Sequence, residues 1–75
     1  MIEELFESIS DKDLEFSIKE IYEVEKEEKS LSDTMILSNV INALEEMEAL
    51  QDGMEFMQVS LLCMREYSYR KAGLK

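Results

Sequence analysis

The sequence contains no proline, histidine or tryptophan, and only one cysteine and two glycines among its 75 residues. The single cysteine, Cys63, excludes an internal disulfide. Without histidine, the usual zinc ligand sets and the usual pairs of nucleophile and base cannot be assembled, and no glycine-rich phosphate loop is present. We therefore expect a protein that is not an enzyme and that uses neither a metal ion nor another cofactor.

Basic residues are also scarce, because eight lysines and arginines against eighteen acids give a net charge of −10. Residues 31–58 contain no base, whereas the last seventeen residues contain the basic side chains Arg65, Arg70, Lys71 and Lys75. This balance argues against direct binding of nucleic acid, which needs basic groups facing the phosphates. No apolar run approaches the length of a membrane span, and the acidic start, with Glu3 and Glu4, is unlike a signal peptide. These features predict a cytoplasmic protein that does not bind membranes.

A chain of this length is near the size at which one core supplies only a few kcal/mol of net stability. Small proteins commonly add a disulfide, a metal ion or a partner chain. Because the composition excludes the first two, association with another protein chain is the expected route to further stability.

The abundance of leucine, methionine, glutamate and lysine predicts helix throughout the chain. We expect an all-α fold, a single domain formed by a small bundle of three to four short helices. Ser10 is a candidate N-cap for the second helix, and Gly53 marks a break before the last one. The last two segments are expected to form an antiparallel hairpin, with one long helix through Gly53 as the alternative. The predicted helices cover approximately residues 2–9, 11–28, 33–51 and 54–70.

Apolar residues recur at helical spacing in the second and third segments, and they predict the faces that line the core. The second segment contributes Leu14, Ile18, Ile21, Tyr22 and Val24. The third contributes Leu37, Val40, Ile41, Leu44 and Met47.

The last helix is apolar over most of its circumference, and its first half reads MEFMQVSLLCM. One face contains Met54, Met57, Leu61 and Met64, and the other contains Phe56, Val59 and Cys63. The helix is either the covered centre of a monomer, or one face closes the core while the other meets a second chain. We favour the second arrangement and predict a protein-interaction module, such as a small adaptor, subunit chaperone or inhibitor. The predicted partner-binding residues are Phe56, Val59, Leu62, Cys63 and Tyr67.

The sequence leaves open whether the partner is foreign or a second copy. In a two-fold homodimer, antiparallel pairing of the last helices would set the basic residues Arg65, Arg70 and Lys71 against acids of the mate.

An alternative function follows from the segment without bases. Its acids could mimic the phosphates of a nucleic acid, as in phage-type decoys that inhibit a nucleic-acid-processing enzyme. The residues of this predicted acidic face are Glu45, Glu46, Glu48, Asp52 and Glu55.

A further alternative concerns Ser30. The pair Ser30-Leu31, which precedes an acidic helix ending in LEEME, resembles the acyl and peptidyl carrier proteins. This resemblance implies a serine that opens a helix and receives phosphopantetheine. Lys29 occupies the position where the family has aspartate, and Ser30 is otherwise expected to be a helix cap.

Overall fold

The structure is a computed structural model that describes residues 2–75, and within that range it contains helices and no strand. The α-helices are α1 (Ile2–Glu7), α2 (Asp11–Glu25), α3 (Ile36–Glu46) and α4 (Glu55–Lys71). A short 3-10 helix, Leu31–Asp33, lies between α2 and α3. The predicted all-α bundle is therefore confirmed.

Helix α2 packs against both α3 and α4, and these two helices also pack against each other. The predicted stripe of α3 is buried except for Met47, which is 39% exposed. In α2 the prediction is less accurate, because Tyr22 is exposed and two polar residues, Ser17 and Glu20, are buried instead. The buried apolar core consists of Phe6, Leu14, Ile21, Leu37, Val40, Ile41, Leu44, Val59 and Cys63.

The start of α2 follows the sequence signal. Ser10 has an extended backbone, and its hydroxyl oxygen accepts a hydrogen bond from the backbone N–H of Asp13 at 3.1 Å. This bond satisfies one of the N–H groups that lack a partner in the first turn of a helix.

Helix α1 ends at Glu7 rather than residue 9. Helices α2 and α3 also end earlier than predicted, at Glu25 rather than residue 28 and at Glu46 rather than residue 51. Each is followed by a left-handed residue two positions later, Glu27 with φ 61° and Glu48 with φ 56°. In both cases the next N–H bonds back to the last helical turn, from Glu28 to Glu23 and from Ala49 to Leu44. This arrangement is the Schellman motif, which usually has glycine at the left-handed position.

The start of α3 also differs from the prediction, because residues 31–33 form the 3-10 turn and Thr34 is extended. The helix begins only at Ile36. The predicted break near Gly53 is confirmed, and the alternative of one long helix is wrong. Gly53 has φ 82° and lies in a turn closed by the N–H of Met54 and the carbonyl of Gln51.

Glu20 holds the start of α3 from the side of α2. Its carboxylate accepts hydrogen bonds from the backbone N–H groups of Met35, Ile36 and Leu37, at 2.5, 3.1 and 3.0 Å. A buried carboxylate thus provides the N-terminal cap that the sequence of α3 lacks, because Met35 cannot accept these bonds.

Arg70 connects the end of α4 to the first two helices. Its guanidinium pairs with Asp11 at 2.8 Å and Glu66 at 3.0 Å, and donates to the carbonyl of Phe6 at 2.9 Å. Lys75 pairs with the other oxygen of Glu66 at 2.8 Å. Burial raises the pKa of Glu66, but the hydrogen bonds from Lys75 and Arg70 outweigh it and hold that pKa below its ordinary value.

Candidate functional site

The outward side of α4 is apolar where a surface helix is ordinarily polar. Met57 is 63% exposed and Leu61 56%, while Met64 and Met54 are 40% and 38% exposed. We call these four residues the outer face of α4. Met54 immediately precedes the helix, and the other three recur at spacings of four and three residues along it.

The opposite side of α4 packs into the protein. Val59, Ser60, Cys63 and Glu66 are buried there. Because successive residues are about 100° apart around a helix, Leu61 lies roughly opposite both Val59 and Cys63. Most of these inward side chains are small, and Ser17, on the neighbouring α2, is also small and buried.

This packing corrects the predicted partner-binding surface. Val59 and Cys63 are fully buried in the core, and Phe56, Leu62 and Tyr67 are half-buried against it. A partner could reach Val59 or Cys63 only if α4 separated from α2. The sequence shows two apolar faces on this helix, and Val59 and Cys63 belong to the one that closes the core.

The one signal that could have separated the two faces is side-chain size. The inward face carries valine, serine and cysteine, which suit close helix packing, whereas the outer face carries long and flexible methionines. Burial also raises the pKa of the Cys63 thiol to about 11. A buried thiol with so high a pKa is a weak nucleophile at neutral pH.

Acidic residues lie toward one end of the outer face and basic residues toward the other. Glu55 begins α4, and the segment that connects α3 to it carries Glu48 and Asp52. Arg65 and Lys71 are exposed toward the other end, with the Lys71 ammonium 5.5 Å from the centre of the Tyr67 ring. Arg70 is not available for contact with a partner because its guanidinium is already paired with Asp11 and Glu66. Neither Glu55 nor Arg65 has an ion-pair partner within the described range.

The predicted acidic face is at the surface. Glu45 and Glu46 end α3, Glu48 and Asp52 lie in the connecting segment, and Glu55 begins α4. The first four are exposed and Glu55 is half-buried, and within residues 2–75 none of the five forms an ion pair. They occupy the end of α3, the segment that connects it to α4, and the start of α4.

Ser30 opens the 3-10 turn and not an α-helix, which departs from what the carrier-protein resemblance implies. Its hydroxyl is 2.7 Å from a carboxylate oxygen of Asp33 and 3.1 Å from the hydroxyl of Ser32. Ser30 is the N-cap residue of the 3-10 helix, but its side chain makes no capping bond to a backbone N–H.

In the part of the chain that the structure describes, no group of three or more cysteine, aspartate or glutamate side chains is arranged to hold a metal ion. No helix within residues 2–75 combines the length and apolarity needed to cross a membrane. Comparisons of the chain with protein families, with curated proteins and with solved structures find no match.

Proposed function

We propose that this protein is a non-enzymatic interaction module that binds another protein chain through the outer face of α4. The observation that carries the proposal is the exposure of Met54, Met57, Leu61 and Met64 on a helix whose other side already closes the core. Burying such a face in a complex removes apolar area from water, which is the main favourable contribution to association between proteins. A small adaptor, a subunit chaperone or an inhibitor would act in this way.

Methionine suits this role because its unbranched side chain adapts to differently shaped surfaces. Three of the four residues on the outer face are methionines. The face is therefore able to pack against another helix without a rigid fit formed in advance.

A photo-reactive amino acid at position 61, introduced into the protein in its native host cells, tests this proposal. We expect a specific adduct at position 61 that is lost when Met57→Asp and Met64→Asp are added. The same amino acid at the exposed Lys19 of α2 is the matched control and should give no such adduct. Mass spectrometry then identifies the attached chain, and an absence of any adduct specific to position 61 would contradict the proposal.

The alternative, an acidic decoy for a nucleic-acid-processing enzyme, has one observation in its favour. Glu45, Glu46, Glu48 and Asp52 are exposed and have no ion-pair partner within residues 2–75, so their charges are free to face a basic groove. A partner bound in this way would dissociate as salt is raised and would be lost when these acids are changed to amides. A partner bound through the outer face of α4 would respond to Leu61→Asp and only weakly to salt.

A further inference from the structure

We propose that the chain bound at the outer face of α4 is a second copy of this protein, paired antiparallel about a two-fold axis at Leu61. Each copy then places Arg65 beside Glu55 of its mate. The inference rests on the proposed function and adds to it the identity of the partner and the orientation of the pair.

The spacing of residues along α4 determines which residues face each other in the dimer. With the axis at Leu61, residue 65 of one helix lies opposite residue 57 of the mate, and residue 64 lies opposite residue 58. Met64 therefore packs between Met57 and Leu61 of the other copy, and the apolar residues cover one another.

The charges on the flank follow the same order. Glu55 is two residues from position 57, which corresponds to about 3 Å along a helix. Because Arg65 lies opposite position 57 of the mate, its long side chain reaches the carboxylate of that Glu55. The pair forms twice in a two-fold dimer, and neither residue has a competing ion pair within residues 2–75.

The charge distribution favours a second copy over a foreign helix of one sign. A basic helix on this face would meet the exposed Arg65 and Lys71, and an acidic helix would meet Glu55. In an antiparallel pair of copies, the acidic end of each α4 lies beside the basic end of the other, so the favourable contact forms twice.

Sedimentation equilibrium of the full chain over a wide concentration range is the first test. The measurement is made at about 150 mM salt, where the Debye length is about 8 Å. At this salt concentration the long-range repulsion between the two acidic protomers is screened more than the close ion pairs are. We expect a monomer–dimer equilibrium, and a monomer that persists to about 1 mM would overturn the dimer.

Charge-swap variants then test the orientation. Arg65→Glu alone and Glu55→Arg alone each turn two attractive contacts into repulsive ones, and we expect either change to weaken the homodimer about tenfold or more. An equimolar mixture of the two variants restores both pairs, so the mixed dimer should form at nearly wild-type concentration. Because the mixture contains the same two folded variants, its recovery cannot be attributed to folding, which circular dichroism checks separately.

Substitutions to aspartate test the apolar part of the surface. Leu61→Asp places two carboxylates at the axis and should abolish the dimer. Phe16→Asp changes another exposed apolar residue, on α2, and should leave the dimer intact. A dimer that survives Leu61→Asp, or a mixture of the charge variants that stays monomeric, would reject this arrangement.

These outcomes also separate the inference from the proposed function. A monomer in solution that gives an adduct with a different protein at position 61 in cells rejects the self-pairing and supports the interaction module. A monomer with no adduct specific to position 61 rejects both.

Discussion

The carboxylate of Glu20 is fully buried and accepts three backbone hydrogen bonds at the start of α3. No basic side chain within residues 2–75 is paired with it. The backbone N–H groups and the positive end of the α3 dipole take the place of a counter-ion. Nothing in the local sequence marks this role, because the residues it caps follow fifteen or more positions later.

We predict that Glu20→Gln lowers the free energy of unfolding by about 2–3 kcal/mol, since one accepting oxygen becomes an NH2 group that faces backbone donors. Urea denaturation followed by circular dichroism measures the change. Glu15→Gln, an exposed position on the same helix, is the control and should change stability by less than about 0.5 kcal/mol. Equal effects of the two substitutions would show that the buried carboxylate does not hold α3.

Glu66 gives the protein a specific dependence on pH. Burial raises its pKa, and the hydrogen bonds from Lys75 and Arg70 lower it by more, so the pKa in the folded protein lies below the ordinary value of 4.5. Because this pKa is depressed, ionised Glu66 stabilises the fold when the pH is above the ordinary pKa of 4.5. The contribution is lost as the pH falls through the folded-state pKa.

We therefore expect Glu66→Gln to be less stable than the wild type at pH 7, with a difference that shrinks as the pH is lowered from about 6 to about 3. Urea midpoints at steps of pH provide the comparison, and subtracting the variant removes the acid dependence of the other carboxylates. Glu25→Gln, at an exposed residue without an ion pair, should show only a small difference throughout. If the difference in stability between the wild type and Glu66→Gln stays constant down to about pH 3, the ion pairs of Glu66 with Arg70 and Lys75 do not stabilise the fold in this way.

Helices α2, α3 and α4 all end in the same Schellman motif, but only α4 has glycine at the left-handed position. Gly73 has φ 77°, whereas Glu27 and Glu48 hold φ values of 61° and 56° at the equivalent positions of α2 and α3. A left-handed conformation costs a residue with a side chain about 1–2 kcal/mol. The two glutamates are thus strained where a glycine would not be.

We predict that Glu48→Gly stabilises the protein by up to about 1 kcal/mol, because relief of the strain exceeds the added flexibility of the unfolded chain. Thermal unfolding at neutral pH measures the gain. Glu45→Gly removes the same charge inside α3 and should instead destabilise by about 1 kcal/mol. If both substitutions destabilise, the left-handed geometry at residue 48 is not the source of strain.

The sequence predicts the helices better than their ends. Apolar spacing identified the core face of α3, and Ser10 and Gly53 marked a helix start and a break, because these signals are local. The ends at Glu25 and Glu46 were missed, since glutamate at a left-handed position gives no recognisable stop. The cap supplied by Glu20 depends on tertiary contact and could not be predicted from either segment alone.

The candidate site shows the same division. Spacing correctly separated two apolar faces on α4, but periodicity does not state which face turns inward. That choice is made by tertiary packing, in which Cys63 of α4 and Ser17 of α2 are both buried. Of the five predicted partner-binding residues, Val59 and Cys63 are fully buried, whereas Met57 and Leu61 on the other face are exposed.

The net charge of −10 acts over the full size of the protein. Its longest dimension is 31 Å, which is close to the Debye length of about 30 Å at 10 mM ionic strength. At that salt concentration every acid repels every other across the fold. At 150 mM the Debye length falls to about 8 Å, so that only close pairs such as Arg70 with Asp11 remain strongly coupled.

We predict that the urea midpoint rises as sodium chloride is increased from about 10 to 150 mM, because long-range repulsion is screened more than the few short ion pairs. The triple variant Glu45→Gln, Glu46→Gln and Glu48→Gln removes three unpaired charges and should show a smaller rise. Unfolding at two protein concentrations separates this effect from self-association, which depends on concentration. A midpoint that falls as salt is added would contradict this prediction. It would mean that the ion pairs around Arg70 and Glu66 stabilise the fold by more than the repulsion among the remaining acids destabilises it.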